Sequence, residues 1–174
     1  GSGGWELSFT VPKAPPSLKV WWIDFPSRNV GYAVGGPEWT ESSGTAFIYK
    51  TTDGGRTWTE VEHPATANRT FLSSVDCKDE NTCWVVGRFA TIMRTTNGGA
   101  SWQKSPRPTD RYGNPYGGFL YSVRWTGTGN TVLVGTTLNF ILRSTDGYNF
   151  GPVPVTNNFV VRDIECPTTS VCFA

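Results

Sequence analysis

The chain is poor in charge. Asp, Glu, Lys and Arg make up 17% of its 174 residues, against about a quarter in an ordinary globular domain, so the charged surface of a helical bundle is missing. Fifteen basic against fourteen acidic residues leave a net charge of +1, which supplies no global field to hold nucleic acid or an anionic membrane. No apolar run approaches the roughly 18 residues of a membrane span, and Gly1 to Gly4 lack the basic and apolar parts of a signal peptide. Helical periodicity is absent as well, and no ten-residue stretch reads as an amphipathic helix. Histidine is nearly absent: His63 stands alone in a Glu-His-Pro stretch. It reads as a solvated loop residue, and without a Gly-x-Ser-x-Gly elbow no serine triad is supported.

Turns and rings are abundant instead, with 20 Gly, 12 Pro and 14% aromatics. The turns recur. Thr51-Thr52-Asp53-Gly54-Gly55-Arg56-Thr57-Trp58 returns as Thr95-Thr96-Asn97-Gly98-Gly99-Ala100-Ser101-Trp102, and in shortened form as Ser144-Thr145-Asp146-Gly147-Tyr148-Asn149-Phe150. The first two aromatics are 44 residues apart and the third follows 48 later, the length of a four-stranded propeller repeat. Upstream of each turn lies a second matched block, running from Ile23 to Gly35, Val75 to Gly87 and Val123 to Gly135. Each block reads as two strands around a polar turn. A third strand, Ala46 to Lys50, Ala90 to Arg94 or Asn139 to Arg143, then enters the repeated turn, and a fourth begins at its aromatic.

The repeated turn closely resembles the Asp-box of β-propellers such as sialidases, sortilin-like receptors and photosystem II assembly factors. Its residues explain themselves: Asp53, Asn97 or Asp146 can accept backbone N–H groups of its own turn, and Gly55 and Gly99 take a positive φ. Thr57, Ser101 and the rings of Trp58, Trp102 and Phe150 tie the hairpin to its sheet. The expected fold is an all-β propeller of four-stranded antiparallel blades at about 17–64, 69–108 and 118–156. Partial blades are expected at 3–12 and 159–174, because Asp163 to Ala174 repeats the block at Ser74 while Gly3 to Val11 resembles a box tail and outer strand. This is either a piece of a larger ring or a small ring closed by its terminal strands. The first is favoured, because a stack with open edges leaves strands and faces unpaired.

Cys77 and Cys83 flank a five-residue turn, and Cys166 and Cys172 occupy the same places in the last block. Opposed hairpin positions meet disulfide geometry, so Cys77–Cys83 and Cys166–Cys172 are expected bridges. The matched positions elsewhere read as Phe25 and Gly31, and as Trp125 and Thr131. Zinc ligands would be more tightly spaced, and no metal or cofactor is expected. Two disulfides point to an oxidising, non-cytosolic compartment: secreted, periplasmic or an organelle lumen.

Chemistry is sparse. A sialidase-like enzyme needs an arginine cluster, a Tyr-Glu pair and an acidic Asp, but the Arg-Ile-Pro motif of that family is missing, and Asp110-Arg111-Tyr112 reads as part of a solvated insertion. Lys50, Arg94 and Arg143 each precede a box and are expected at equivalent heights on neighbouring blades, as a basic arc or as cover for their own blade edges. Arg88, Arg124 and Arg162 extend that patch. Trp21, Trp22 and Trp125 are expected in the core, with Trp39 and Tyr112 or Tyr116 exposed in the insertions at 36–44 and 106–118.

The larger unit, Ile23-Asp24-Phe25 through Gly31-Tyr32-Ala33-Val34-Gly35 to the first box, is similar to blades of the photosystem II stability/assembly factor family. That resemblance implies a cofactor-free, non-enzymatic propeller of the thylakoid lumen that binds a membrane-protein intermediate through a basic patch, with Lys50, Arg94 and Arg143 at the matching positions. The expected function is therefore a protein-interaction scaffold, an assembly or accessory subunit of a larger photosynthetic membrane complex. Its partner is a protein, with no nucleic acid, membrane span or small-molecule ligand. The alternative is a glycan-binding or sialidase-like glycoside hydrolase fragment.

Overall fold

The computed structural model describes residues 18–38, 40–41, 43–155 and 160–174. The expected partial blade at 3–12 and the Trp39 expectation lie outside these residues. The chain forms a β-propeller stack of three four-stranded antiparallel sheets, each in simple sequential order, followed by a hairpin. The first sheet holds β1 (Leu18–Asp24), β2 (Gly31–Pro37), β3 (Phe47–Thr51) and β4 (Thr59–Glu60). The second holds β5 (Leu72–Cys77), β6 (Cys83–Gly87), β7 (Ile92–Thr95) and β8 (Gln103–Lys104). The third holds β9 (Leu120–Trp125), β10 (Val132–Thr136), β11 (Phe140–Ser144) and β12 (Gly151–Pro154), and the hairpin is β13 (Glu165–Thr168) with β14 (Val171–Phe173).

The second strand of each sheet is central and packed on both faces. Cys83-Trp84-Val85-Val86-Gly87 is therefore apolar throughout and fully buried, whereas a sheet with one wet face would alternate. Outer strands β4 and β8 are two residues long and exposed, which blunts the edge of each sheet. Gly35, inside β2, and Gly87, at the end of β6, are glycine for a steric reason. A Cβ at either would fall 2.0 Å from the carbonyl oxygen of Lys19 or Phe71, which approaches at the bulge in the first strand.

Successive sheets stack face to face. Tyr32, Val34 and Ile48 meet Val75, Val85 and Met93 of the second sheet. Trp84, Val86 and Ile92 meet Leu120, Val123 and Leu142 of the third. Leu133 and Ile141 meet Val161, Ile164 and Cys166. First strands are neighbours from sheet to sheet, β1 beside β5, β5 beside β9 and β9 beside β13, as in a propeller whose inner strands line an axis. Among the described residues the sheets do not close into a ring.

Several expectations are corrected. Third strands start one or two residues later than expected, at Phe47, Ile92 and Phe140, and Arg88–Ala90 forms a short 3-10 turn before β7. Fourth strands begin one residue after the box aromatic. In the third sheet Trp125 pairs with Val132, not Thr131, because the turn from Thr126 to Thr131 is one residue longer than the Cys77–Cys83 turn. The residue structurally equivalent to Tyr32 and Trp84 is accordingly Leu133, facing Arg143 as they face Lys50 and Arg94. Trp21 and Trp22 are 38% and 39% exposed instead of core, while Tyr116 is 5% exposed; its hydroxyl bonds the Phe119 carbonyl and lies 2.7 Å from Thr137 Oγ1. Trp125 is half-buried and Tyr112 is exposed.

Candidate functional site

The box turns are closed by their own side chains. Thr51 Oγ1 donates to Asp53 Oδ1 at 2.8 Å and accepts the Gly55 N–H at 2.9 Å. Asp53 takes the Thr57 hydroxyl at 2.6 Å and its N–H at 2.9 Å, and these bonds hold its carboxyl down at about 2. The Trp58 indole N–H bonds the Gly55 carbonyl of the same turn at 3.1 Å. Thr95, Asn97, Gly99 and Ser101 repeat the pattern. In the third turn Asp146 accepts the N–H groups of Tyr148 and Asn149, both at 2.8 Å, and Phe150 is buried against the second sheet. The residue that follows Asp53 by four and donates a hydroxyl is here replaced by Asn149 at three, which accommodates the deletion.

The cations that precede these turns reach forward to the next sheet. Lys50 Nζ donates to the Gly98 carbonyl at 2.6 Å, and Arg94 Nη1 to the Asp146 carbonyl at 2.9 Å. Their cross-strand partners reach the same turns: Tyr32 packs on Gly99, and the Trp84 indole donates to the Gly147 carbonyl at 2.8 Å. A ring and a cation from one sheet thus grip the box of its neighbour. Arg143, the third of the series, is exposed, and its side chain makes no hydrogen bond or ion pair among the described residues.

A second row crosses the stack on the inner strands, at the same end as the boxes. Asp24 Oδ2 accepts the Cys77 N–H at 2.9 Å. Asp76 accepts the Trp125 N–H at 2.5 Å and Arg124 Nη1 at 3.0 Å. Arg124 continues to the Ile164 carbonyl at 3.0 Å and Glu165 at 2.5 Å. Burial raises the carboxyls of both Asp24 and Asp76, the latter to about 6 despite Arg124. Arg124 is therefore committed between sheets and does not extend a free patch.

The opposite end of the strands is different in character. Phe71 and Phe119, just before β5 and β9, stack at 5.9 Å between ring centroids, and Trp21 adds a tilted ring 5.7 Å from Phe71. Arg88 lies over the Phe89 and Phe119 rings at 4.8 and 5.4 Å and donates Nη1 to the Arg69 carbonyl at 3.2 Å. Phe89 is 48% exposed on a backbone with φ 59, a left-handed conformation costly for an aromatic residue. Arg69, also at positive φ, is exposed beside it. The result is an aromatic shelf rimmed by two arginines. Arg162 lies over the Tyr121 ring at 5.6 Å.

The remaining expected positions have local roles. His63 is half-buried rather than solvated: Nδ1 accepts the Ala65 N–H at 3.2 Å, and burial lowers its pKa. It lines an open pocket with Thr45, Glu60, Glu62 and Thr66. Asp110 accepts the N–H groups of Tyr112 and Asn114, organising the insertion around itself. Cys77–Cys83 and Cys166–Cys172 are disulfide-bonded, with Cα atoms 4.0 and 4.1 Å apart, which agrees with an oxidising, non-cytosolic compartment. Among the described residues no group of His, Cys, Asp and Glu is arranged to hold a metal, and no helix is long and apolar enough to cross a membrane. Asp76, Trp84 and Phe89 were not legible as site residues, although Asp76 repeats Asp24 in the matched blocks.

Known proteins align with this architecture. A solved structure described as YCF48 bound to D1 peptide matches with a TM-score of 0.66 and 24% identity over 86% of this chain and 46% of that one. YCF48 from Cyanidioschyzon merolae matches with a TM-score of 0.57 and 22% identity over 80% of this chain and 38% of that one. A GH74 xyloglucanase from Xanthomonas campestris matches at 0.59 and 16% identity, over 80% and 24%. At these identities the likeness shows the fold, and the chain spans less than half the length of each. No curated protein sequence matches the chain. The family profile described as photosynthesis system II assembly factor YCF48 matches residues 8–149, most of the chain, and the protein therefore belongs to that family.

Proposed function

We propose that the protein acts in photosystem II assembly as a non-enzymatic, protein-binding platform in the thylakoid lumen, and that the Arg88–Phe89 shelf is its contact surface. The observation that carries the reading is an outward-turned Phe89 held at positive φ beneath a stacked guanidinium. A residue held in that way is preorganised for contact, and Arg with aromatic residues dominates protein interfaces energetically. Family membership supports the assembly role, and the YCF48 structure described as bound to D1 peptide supplies the class of partner. The cations Lys50, Arg94 and Arg143 form the box-side edge of the platform in this reading. Lys50 and Arg94 each devote a hydrogen bond to the neighbouring sheet, which leaves Arg143 as the most available contact there.

Calorimetric titration with a D1-derived peptide tests this. Arg88→Glu and Phe89→Ala should each weaken binding about tenfold or more, the cost of an interface hot spot, while Arg143→Glu changes it less. Unchanged binding in both shelf variants with loss in Arg143→Glu would move the site to the box side. Turnover of a saccharide by the wild-type chain would replace the scaffold reading with the hydrolase one, whose fold the xyloglucanase shares.

A further inference from the structure

The inner-strand row holds a buried carboxylate at its centre. Asp76 sits on β5 at the seam between the second and third sheets and is 8% exposed. Its two oxygens face β9: one takes the Trp125 N–H and the other Arg124 Nη1. From β1, on the opposite side, it meets the like charge of Asp24. From β6 its cross-strand neighbour is the uncharged Trp84. From β2 the titratable group is Tyr32, pushed up to about 12 and bonded to the Glu80 carbonyl. From β13, Glu165 lies behind Arg124 as that guanidinium's second anionic partner.

These groups share one guanidinium, each through a different nitrogen. Arg124 is held by Asp76 on one side of the third sheet and by Ile164 and Glu165 on the other, so its charge has an alternative home. Asp76 is desolvated beside another carboxylate, so a proton is its simplest relief. We propose that Asp76 is a proton-operated clasp: ionised, it grips Arg124 and the Trp125 N–H across the seam between the second and third sheets, and protonated, it lets go of Arg124, which keeps its bonds to Ile164 and Glu165.

The step moves one proton from solvent to an Asp76 oxygen, with no other bond made or broken covalently. The neutral acid still offers an oxygen to the Trp125 N–H, so β5 and β9 keep that one link across the seam. What is lost is the ion pair, while the Arg124 bonds to Ile164 and Glu165 remain as they were. Acidification thus removes a charged link from one seam and leaves the next as it was.

The test is an NMR pH titration of the full chain, following the Asp76 carboxyl carbon, the Arg124 Nε signal and the Trp125 amide between pH 7.5 and 4.5. The expected result is one shared inflection near the value of about 6 that burial gives Asp76, absent from the Arg124 and Trp125 signals in Asp76→Asn. Asp24→Asn should lower the inflection by removing the like charge, and it keeps the test available should Asp76→Asn fail to fold. Arg124 and Trp125 signals that stay flat in the wild type, or an Asp76 carboxyl that titrates near 4, would overturn the proposal.

Discussion

Replacing Trp84 with phenylalanine should weaken the seam between the second and third sheets more than any exposed substitution. The indole is fully buried, and its N–H bonds the Gly147 carbonyl at 2.8 Å in the third box. Phenylalanine keeps most of the ring but removes the donor and leaves a buried carbonyl unpaired, a loss of about 1–3 kcal/mol. The volume vacated against Gly147 adds about 1 kcal/mol, in the range of modest core truncations. A total of about 2–4 kcal/mol is a large part of the roughly 5–15 kcal/mol that holds an ordinary domain together. Arg94→Gln touches the same turn through an exposed hydrogen bond to the Asp146 carbonyl and should cost about 0.5–1 kcal/mol. Because both side chains hold one box, the double variant should show non-additivity of at least about 0.5 kcal/mol. Urea unfolding followed by far-ultraviolet circular dichroism gives all three values. A Trp84→Phe loss below about 0.5 kcal/mol, or strict additivity with Arg94→Gln, would refute the two-pronged grip.

Gly147→Ala should cost clearly more than Gly129→Ala in the same assay: both glycines have positive φ, but a Cβ at Gly147 meets the Trp84 ring at 2.8 Å and one at Gly129 meets nothing within 4 Å. Under native conditions a thiol reductant should open Cys166–Cys172 before Cys77–Cys83, because Cys172 is exposed while Cys83 is fully buried and exchange requires access to sulfur; mass spectrometry of alkylated peptides reads the order. Removing either bridge should cost about 2 kcal/mol by the chain-entropy argument. Asp76 has a folded pKa raised to about 6 from 3.8, so the native state takes up its proton first, and its contribution makes stability rise as pH falls through that window. Asp76→Asn should remove about 2 kcal/mol of that dependence, measured as the difference in unfolding free energy between pH 7 and pH 4. Asp53 has the opposite sign, since its folded pKa is lowered to about 2. Its contribution is lost as pH falls from about 4 towards 2, and Asp53→Asn, the residue already present at Asn97, should abolish that acid-sensitive component.

The repeat made the fold legible, because a box spaced at blade length can only be satisfied by radially stacked hairpins, and the turn residues disclose their own hydrogen bonds. The paired cysteines were legible for the same reason: opposed positions of one hairpin recur with identical spacing. Facing was not. Whether Trp21 and Trp22 lie in a core depends on what packs against β1, which no local pattern encodes, and Tyr116 is buried because its hydroxyl finds Phe119 and Thr137 across the insertion. The roles of Lys50 and Arg94 were half visible, since symmetry placed them correctly but could not show that each points into the next sheet. The one-residue insertion between Thr126 and Thr131 misled the alignment of the third sheet, and only strand register reveals Leu133 opposite Arg143. Phe89 carries no sequence signal at all, because its exposure follows from a backbone turn of unusual sign.

Mapping a bound peptide on the isotopically labelled chain tests the central claim most directly, because it asks where contact falls without altering any residue. The account predicts saturable shifts concentrated at Arg69, Arg88, Phe89 and Phe119, with the box turns at Gly55, Gly99 and Gly147 unmoved. Shifts concentrated at the box turns and Arg143, with the shelf silent, would contradict it.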